Sequence, residues 1–397
     1  MTKIVDLTAH GDEFTADPYP LYAKLRERGP VHRVLTDEGE QWLIVGYDAV
    51  RAALTDPRLH KDWRRKSRPN SDGDRVSPID ANLLETDPPD HTRLRKLVSK
   101  AFTARRMASL QPRIQQLTDE LVDALVAKQD RRADLVDALA FPLPMTVICE
   151  LLGVPELDRE AFRTWSNDFV APTGPESATA AVAAMERYLD ELIEDKRASA
   201  LTDDLLSALI RTRAEDGDRL SRDELIAMAF LLLVAGQETT ANLISGGLLS
   251  LLKHPGQQAA LQADFSLLDD AVEEMLRYDG PVETSTFRFT ELDIDFAGTV
   301  IPAGAIVRVV LAAADRDPSR FPLPDSFDIH RSPQSHLAFG HGIHYCIGAP
   351  LGRLEARIAI RTLLERCPGL TLDTDPGALD WRPGLLIRGV KRLPVRW

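Results

Sequence analysis

The chain has 397 residues, 44% hydrophobic and 27% charged, a globular balance that excludes a disordered, collagen-like or simple coiled-coil protein. Its 48 Lys and Arg stand against 61 Asp and Glu, a net charge of −13, which argues against a nucleic-acid partner or an anionic membrane surface. The three cysteines, Cys149, Cys346 and Cys367, form no CxxC pair and no disulfide framework, so a reducing compartment is expected.

Met1 to Phe14 is polar and mixed in charge, and no signal peptide is expected. The longest apolar run, Leu225–Gly236, has twelve residues, too few to cross a bilayer. The expectation is a cytoplasmic protein with no membrane partner. Its length can bury a core that encloses a cofactor.

A short helix is predicted over Tyr19–Arg28, closed by Gly29-Pro30. The runs Val31–Leu35 and Gln41–Val45, separated by Thr36-Asp37-Glu38-Gly39, predict a hairpin. From Arg58 to Pro89 the pattern dissolves around Pro69, Gly73, Pro78 and Pro88-Pro89. A loop of that length is usually functional or disordered. Helical periodicity follows over His91–Arg106, Gln111–Lys128, Pro142–Leu152, Ala178–Ala198, Arg222–Leu252 and Leu267–Tyr278. Short strands are expected between Glu283 and Leu311, with turns at Ala297-Gly298 and Ala303-Gly304. Asp315–Pro333 carries little periodicity, and a last helix over Ala349–Glu365 precedes a β-like end. The fold class is mainly α with small β-sheets. No Ser- or Gly-rich linker divides the chain, so a single domain over 1–397 is expected.

Several catalytic signatures are absent. There is no HExxH, no GxSxG and no Gly-Lys pair for a phosphate loop. His336, His341, His344 and Cys346 crowd one glycine-rich segment, which does not suit the two-armed spacing of a zinc site.

The informative stretch is Phe339-Gly340-His341-Gly342-Ile343-His344-Tyr345-Cys346-Ile347-Gly348. Its glycines allow backbone geometry and close approach that a side chain would block. Cys346 sits just before a predicted helix, whose N-terminal N–H groups stabilise a thiolate. A thiolate is a soft metal ligand, so haem iron and a redox role both fit. Cys149 and Cys367 lie in apolar or helix-end contexts and read as structural.

This segment resembles the haem-binding loop of the cytochrome P-450 superfamily of haem-thiolate monooxygenases. The pattern Phe-Gly-x-Gly-x-His-x-Cys-x-Gly is matched over all ten residues. The resemblance implies the P-450 fold, with haem b (iron protoporphyrin IX) held between a long oxygen-binding helix and the helix after the cysteine loop. It also implies that Cys346 is the axial ligand of the iron.

Three further segments match in order. Ala235-Gly236-Gln237-Glu238-Thr239-Thr240 places a carboxylate and hydroxyls inside an apolar helix, which is costly unless they are used or satisfied. A mid-helix Thr can also bond back and bend the helix. By resemblance a kink at Ala235 and Gly236 makes room for dioxygen, Thr239 holds the reacting oxygen and Glu238 feeds protons from solvent. Glu274-Met275-Leu276-Arg277 offers Arg277 two partners, Glu273 at i+4 and Glu274 at i+3, and spacing alone cannot choose. The resemblance selects Glu274 and Arg277 as a buried structural pair, with Arg331 as its third member. Ser326 stands where many relatives have Arg. In Asp87-Pro88-Pro89-Asp90-His91-Thr92-Arg93-Leu94-Arg95, His91 and Arg95 share a helix face and can bind an anion. By resemblance they grip the haem propionates, with Arg288 and His344 as further donors, the arginines matching a carboxylate's geometry.

The resemblance runs from about Pro18 to Trp397 and is closest to soluble actinobacterial members of the macrolide- and polyketide-hydroxylating branch. It implies an oxidoreductase of secondary metabolism that inserts one atom of O2 into a lipophilic small molecule. No flavin or iron–sulfur motif is present, so a ferredoxin and a ferredoxin reductase are the expected electron donors. The basic run Arg93, Arg95, Lys96, Lys100, Arg105 and Arg106, with no acid in 91–106, is the expected ferredoxin face. A peroxide-driven haem enzyme and a non-catalytic haem sensor or carrier are the alternatives, and neither needs the Glu238-Thr239 pair.

The 58–89 loop is expected to lid the pocket. It opens with Lys61, Arg64, Arg65, Lys66 and Arg68 and then holds Asp72, Asp74, Asp80, Glu85 and Asp87. Glu85 and Glu238 are candidate substrate residues, two acids suited to a large lipophile bearing one cation, such as an amino-sugar macrolide.

Overall fold

A computed structural model describes residues 4–63, 79, 81–155, 159–170, 174–199, 201–212, 217–332 and 335–397. In chain order the helices are α1 (Gly11–Ala16), α2 (Tyr19–Arg28), α3 (Tyr47–Thr55), α4 (Asp90–Ala101), α5 (Ala104–Ser109), α6 (Gln111–Val126), α7 (Pro142–Leu152), α8 (Arg159–Val170), α9 (Pro175–Ala198), α10 (Leu205–Arg211), α11 (Arg222–Lys253), α12 (Pro255–Ala263), α13 (Leu268–Asp279), α14 (Leu311–Asp315) and α15 (Ala349–Arg366). The chain divides into two compact units, each made of several segments. One comprises Met1–Lys61, Gln115–Ala140 and Thr239–Trp397, the other Asp62–Ile114 and Phe141–Glu238.

The first unit carries the sheets. Its main sheet holds β1 (Val5–Asp6), β2 (Val31–Thr36), β3 (Gly39–Ile44), β4 (Leu59–His60), β6 (Arg288–Thr290) and β9 (Ile306–Val309) in the order β1-β2-β3-β9-β6-β4. A two-stranded ribbon pairs β7 (Ile294–Phe296) with β8 (Thr299–Ile301), and a third sheet orders β10 (Thr371–Leu372), β11 (Pro394–Arg396) and β5 (Arg132–Asp134). The hairpin register runs from Val31 opposite Ile44 to Thr36 opposite Gly39. The turn is therefore Asp37-Glu38 alone, tighter than the sequence suggested, with Gly39 at φ 103°, a conformation that favours glycine. Val31, Trp42, Ile44, Tyr47, Val50, Leu54, Val309 and Phe321 bury into one core. Each large apolar side chain so buried stabilises the fold by about 1.5–3 kcal/mol.

The second unit is helical. The expected helix over 91–106 is two helices. α4 buries His91, Leu94, Leu97, Val98 and Ala101 on one face. Phe102 leaves helical geometry, and the Thr103 side chain then caps α5 by accepting the Arg106 N–H, as hydroxyl caps do. α7 ends at Gly153 in left-handed geometry. α8 and α9 meet through Phe162, Trp165 and Tyr188, with ring centroids 4.8–5.9 Å apart.

α11 (Arg222–Lys253) is 32 residues long and extends the expected Arg222–Leu252 helix by one residue. By length and composition it could cross a membrane, yet 67% of its most apolar window is buried inside the protein, as in a core helix. Of the 58–89 loop, β4 pairs with β6. Arg64 to Pro78 and Asp80, hence most of the expected basic run and Asp72 and Asp74, lie outside the described residues.

Candidate active site

In the first unit, residues 336–348 form a tight loop that ends at α15. Gly340 and Gly342 adopt φ 75° and 76°. A Cβ on Gly342 would meet the Thr55 methyl at 2.7 Å, so glycine is required there for both backbone and space. The Cys346 N–H donates to the Phe339 carbonyl at 3.0 Å, and Gly340 N–H to Leu337 at 2.7 Å. Cys346 is exposed, whereas Cys149 and Cys367 are buried. Its position just ahead of the α15 N-terminus favours the thiolate. His344, in a short 3-10 turn (Gly342–His344), is half-buried. Arg288 on β6 is buried and donates to the Leu59 and Leu54 carbonyls at 3.2 and 3.3 Å. Thr239 is half-buried on α11. A Cβ on Gly352 of α15 would lie 3.6 Å from the Thr240 hydroxyl, an ordinary contact that marks where α15 passes α11.

The choice left open by spacing is resolved by geometry. Glu274 takes both Arg277 nitrogens, at 2.7 and 2.8 Å, and Arg331 at 3.1 Å. Arg277 further donates to the carbonyls of Asp315, Pro324 and Ser326. Glu273 instead faces Arg353 of α15, with Nε at 2.6 Å and Nη2 at 2.8 Å, and His336 at 3.0 Å. Burial works to raise the Glu273 pKa, but the hydrogen bonds from Arg353 and His336 override it and hold it at about 2.

In the second unit, His91 is buried on α4 and Arg95, one turn on, is half-buried. On α11, Ala235 is exposed although its helix is otherwise mostly buried. Gly236 packs so closely that an added Cβ would lie 3.1 Å from Ile148. Gln237 accepts a hydrogen bond from Ser166 at 2.8 Å, and Glu238 is buried. The helix continues through this segment to Lys253. Glu85 is half-buried in a turn, its N–H donating to the Asn82 side chain at 3.1 Å. The expected basic face is partly neutralised. Arg93 pairs with Glu224 and Asp218, and Arg106 pairs with Asp203. Lys96, Lys100 and Arg105 remain exposed.

Three buried groups escaped the sequence reading. Glu355 is 1% exposed on the apolar face of α15, and burial raises its pKa well above the carboxylate range. An acid in the stripe Leu351, Leu354, Ile358, Ala359 was the available signal. Asp315 accepts the Leu337 N–H at 2.7 Å beside the cysteine loop, and burial pushes it to about 7. His336 was weighed only as a zinc ligand.

The donor chemistry fits haem b. The first unit carries an exposed thiol at a helix start, the buried Arg288 and the half-buried His344. The second carries His91, Arg95 and, on a long apolar helix, the exposed Ala235. The family model described as Cytochrome P450 matches residues 11–163 and 160–388. The cytochrome P450 monooxygenase PikC of Streptomyces venezuelae is 59% identical over 395 residues, 99% of this chain and 94% of that protein. The 6-deoxyerythronolide B hydroxylase of Saccharopolyspora erythraea is 43% identical over 407 residues, covering 100% of this chain and 99% of its own. The solved structure of the tirandamycin C-bound P450 monooxygenase TamI matches with TM-score 0.89 at 45% identity, covering 99% of each chain. With a cysteine loop matched in every position and whole-length relatives at 43% and 59% identity, the chain belongs to the cytochrome P450 family, as a haem b monooxygenase of the branch that includes macrolide hydroxylases.

Proposed function

We propose that this monooxygenase hydroxylates or epoxidises a macrolide or related polyketide, taking electrons from a ferredoxin and its reductase in the cytoplasm. The observation that carries the reading is the Glu238-Thr239 pair on α11, one turn beyond the exposed Ala235. Both units form one P-450 domain in this reading, since the family match runs through both. The overall change inserts one oxygen atom into a C–H or C=C bond, reduces the other to water and takes up two electrons and two protons.

Haem b, when bound, supplies dioxygen activation, and a thiolate ligand favours O–O cleavage. Cys346 Sγ would bind the haem iron. His91, Arg95, Arg288 and His344 would hold the two propionates through charge-assisted hydrogen bonds. Ala235 and Gly236 keep side-chain bulk away from the oxygen site. Thr239 Oγ1 holds a proton beside the reacting oxygen, and the Glu238 carboxylate relays protons towards it. Glu274, Arg277 and Arg331 serve the fold and the loop.

Product formed per reduced nicotinamide consumed tests the proton path. Thr239→Ala should lower this coupling several-fold with peroxide released instead, and Glu238→Gln should slow turnover. Unchanged values in both variants would remove the pair from the mechanism.

For the substrate, Glu85 and Glu238 suit a lipophile with one cationic group. A charge-assisted hydrogen bond of that kind contributes roughly 1.5–3 kcal/mol, about one to two decades in affinity. Spin-state titration should show a dimethylamino-sugar macrolide binding at least tenfold tighter than its aglycone, with Glu85→Gln erasing most of the difference. Equal binding of the two in wild type would make a neutral lipophile the substrate class.

A further inference from the structure

Glu273 lies on α13 and touches both ends of the segment that carries Cys346. At one end it accepts His336 Nε2 at 3.0 Å, while His336 Nδ1 accepts the Ala338 N–H at 3.2 Å. Both contacts are met with Nε2 donating and Nδ1 accepting. At the other end Glu273 holds Arg353 of α15 through two parallel bonds, at 2.6 and 2.8 Å. The Arg353 guanidinium then lies 4.4 Å from the centroid of the Phe339 ring, within cation–π range. Phe339 is the residue whose carbonyl accepts the Cys346 N–H. One carboxylate thus closes the cysteine loop from both sides. Arg353 and Glu273 are only 27% and 25% exposed at the side chain, so their charges are weakly screened.

We propose that Glu273 and Arg353 are positioning residues forming a charge-balanced clasp, which holds the cysteine loop and keeps the reduction potential of its haem free of the bias that either charge alone would impose. This rests on Cys346 being the haem ligand. Reduction adds one negative charge to the haem–thiolate unit. Arg353 alone would favour that charge and Glu273 alone would oppose it, and in the intact clasp the two cancel.

The test is a spectroelectrochemical titration of the holoprotein, alongside the rate of haem transfer to apomyoglobin. Glu273→Gln leaves the Arg353 cation unbalanced and should move the reduction equilibrium about threefold towards the ferrous form, about 30 mV upward at 59 mV per decade. Arg353→Gln leaves the Glu273 anion and should move it about threefold the other way. The double variant should return to within about 1.5-fold of wild type, while haem loss is faster in all three. Arg353→Lys, which keeps the charge but loses the bidentate grip, should keep the wild-type potential and still lose haem faster. If Arg353→Gln fails to retain haem, Glu273→Gln against Arg353→Lys decides alone. Single variants that shift in the same direction or not at all, or a Lys variant that shifts, would overturn the clasp. A thiolate-type carbon monoxide band surviving in Cys346→Ser would instead overturn the ligand assignment on which it rests.

Discussion

Glu355 is a carboxylic acid sealed into the apolar face of α15, with no cation among the described residues to hold its charge. Its folded pKa lies above the unfolded one, so the stability it contributes is present below the ordinary carboxylate range and is lost as pH rises through the folded value. Glu355→Gln keeps the shape and has no such loss. Thermal unfolding should show the variant gaining on wild type as pH rises from 5 to 9. A constant difference in Tm across that range would mean that Glu355 stays ionised and paired. The same scale shows what sequence can resolve. Glu273 and Glu274 both share a helix face with Arg277, and only tertiary neighbours separate their roles. Arg331 and the carbonyls of 315–326 gather at Glu274, while α15 brings Arg353 to Glu273.

Long periodic elements were legible almost to the residue. The predicted Tyr19–Arg28 and Pro142–Leu152 helices stand as predicted, and α15 extends the predicted helix by one residue. Short elements were not. α3 and α12 open at Gly46-Tyr47 and His254-Pro255-Gly256 and were not predicted, although Pro is well suited to a first helical turn. The split of α4 from α5 turns on one hydroxyl cap, which gave way in the sequence reading to an unbroken run of periodicity. β4 is two residues held by β6 far along the chain, a pairing that no local pattern reveals. The cysteine loop was legible because its glycines answer to geometry. At Gly342 both the positive φ and the Thr55 methyl exclude a side chain.

At the scale of the molecule, a −13 chain repels an acidic partner except where basic residues cluster. Ion pairs with Glu224, Asp218 and Asp203 engage Arg93 and Arg106, and Lys96, Lys100 and Arg105 are exposed in the same segment. Steering by such a patch acts mainly on association and is screened by salt. Lys100→Glu with Arg105→Glu should therefore slow ferredoxin reduction of the haem about tenfold at low salt and less at 0.5 M. Arg93→Gln should matter little to that rate. Rates indifferent to both salt and charge reversal would place the electron donor elsewhere or give it a different charge.

Binding of haem iron by the Cys346 thiolate is read out in the carbon monoxide difference spectrum of the reduced protein. Wild type should show the long-wavelength band of thiolate-ligated haem. Cys346→Ser should lose that band while retaining some bound haem, because His91, Arg95, Arg288 and His344 still face the propionates in this account. Persistence of the band in Cys346→Ser, or its absence from haem-loaded wild type, would contradict the assignment.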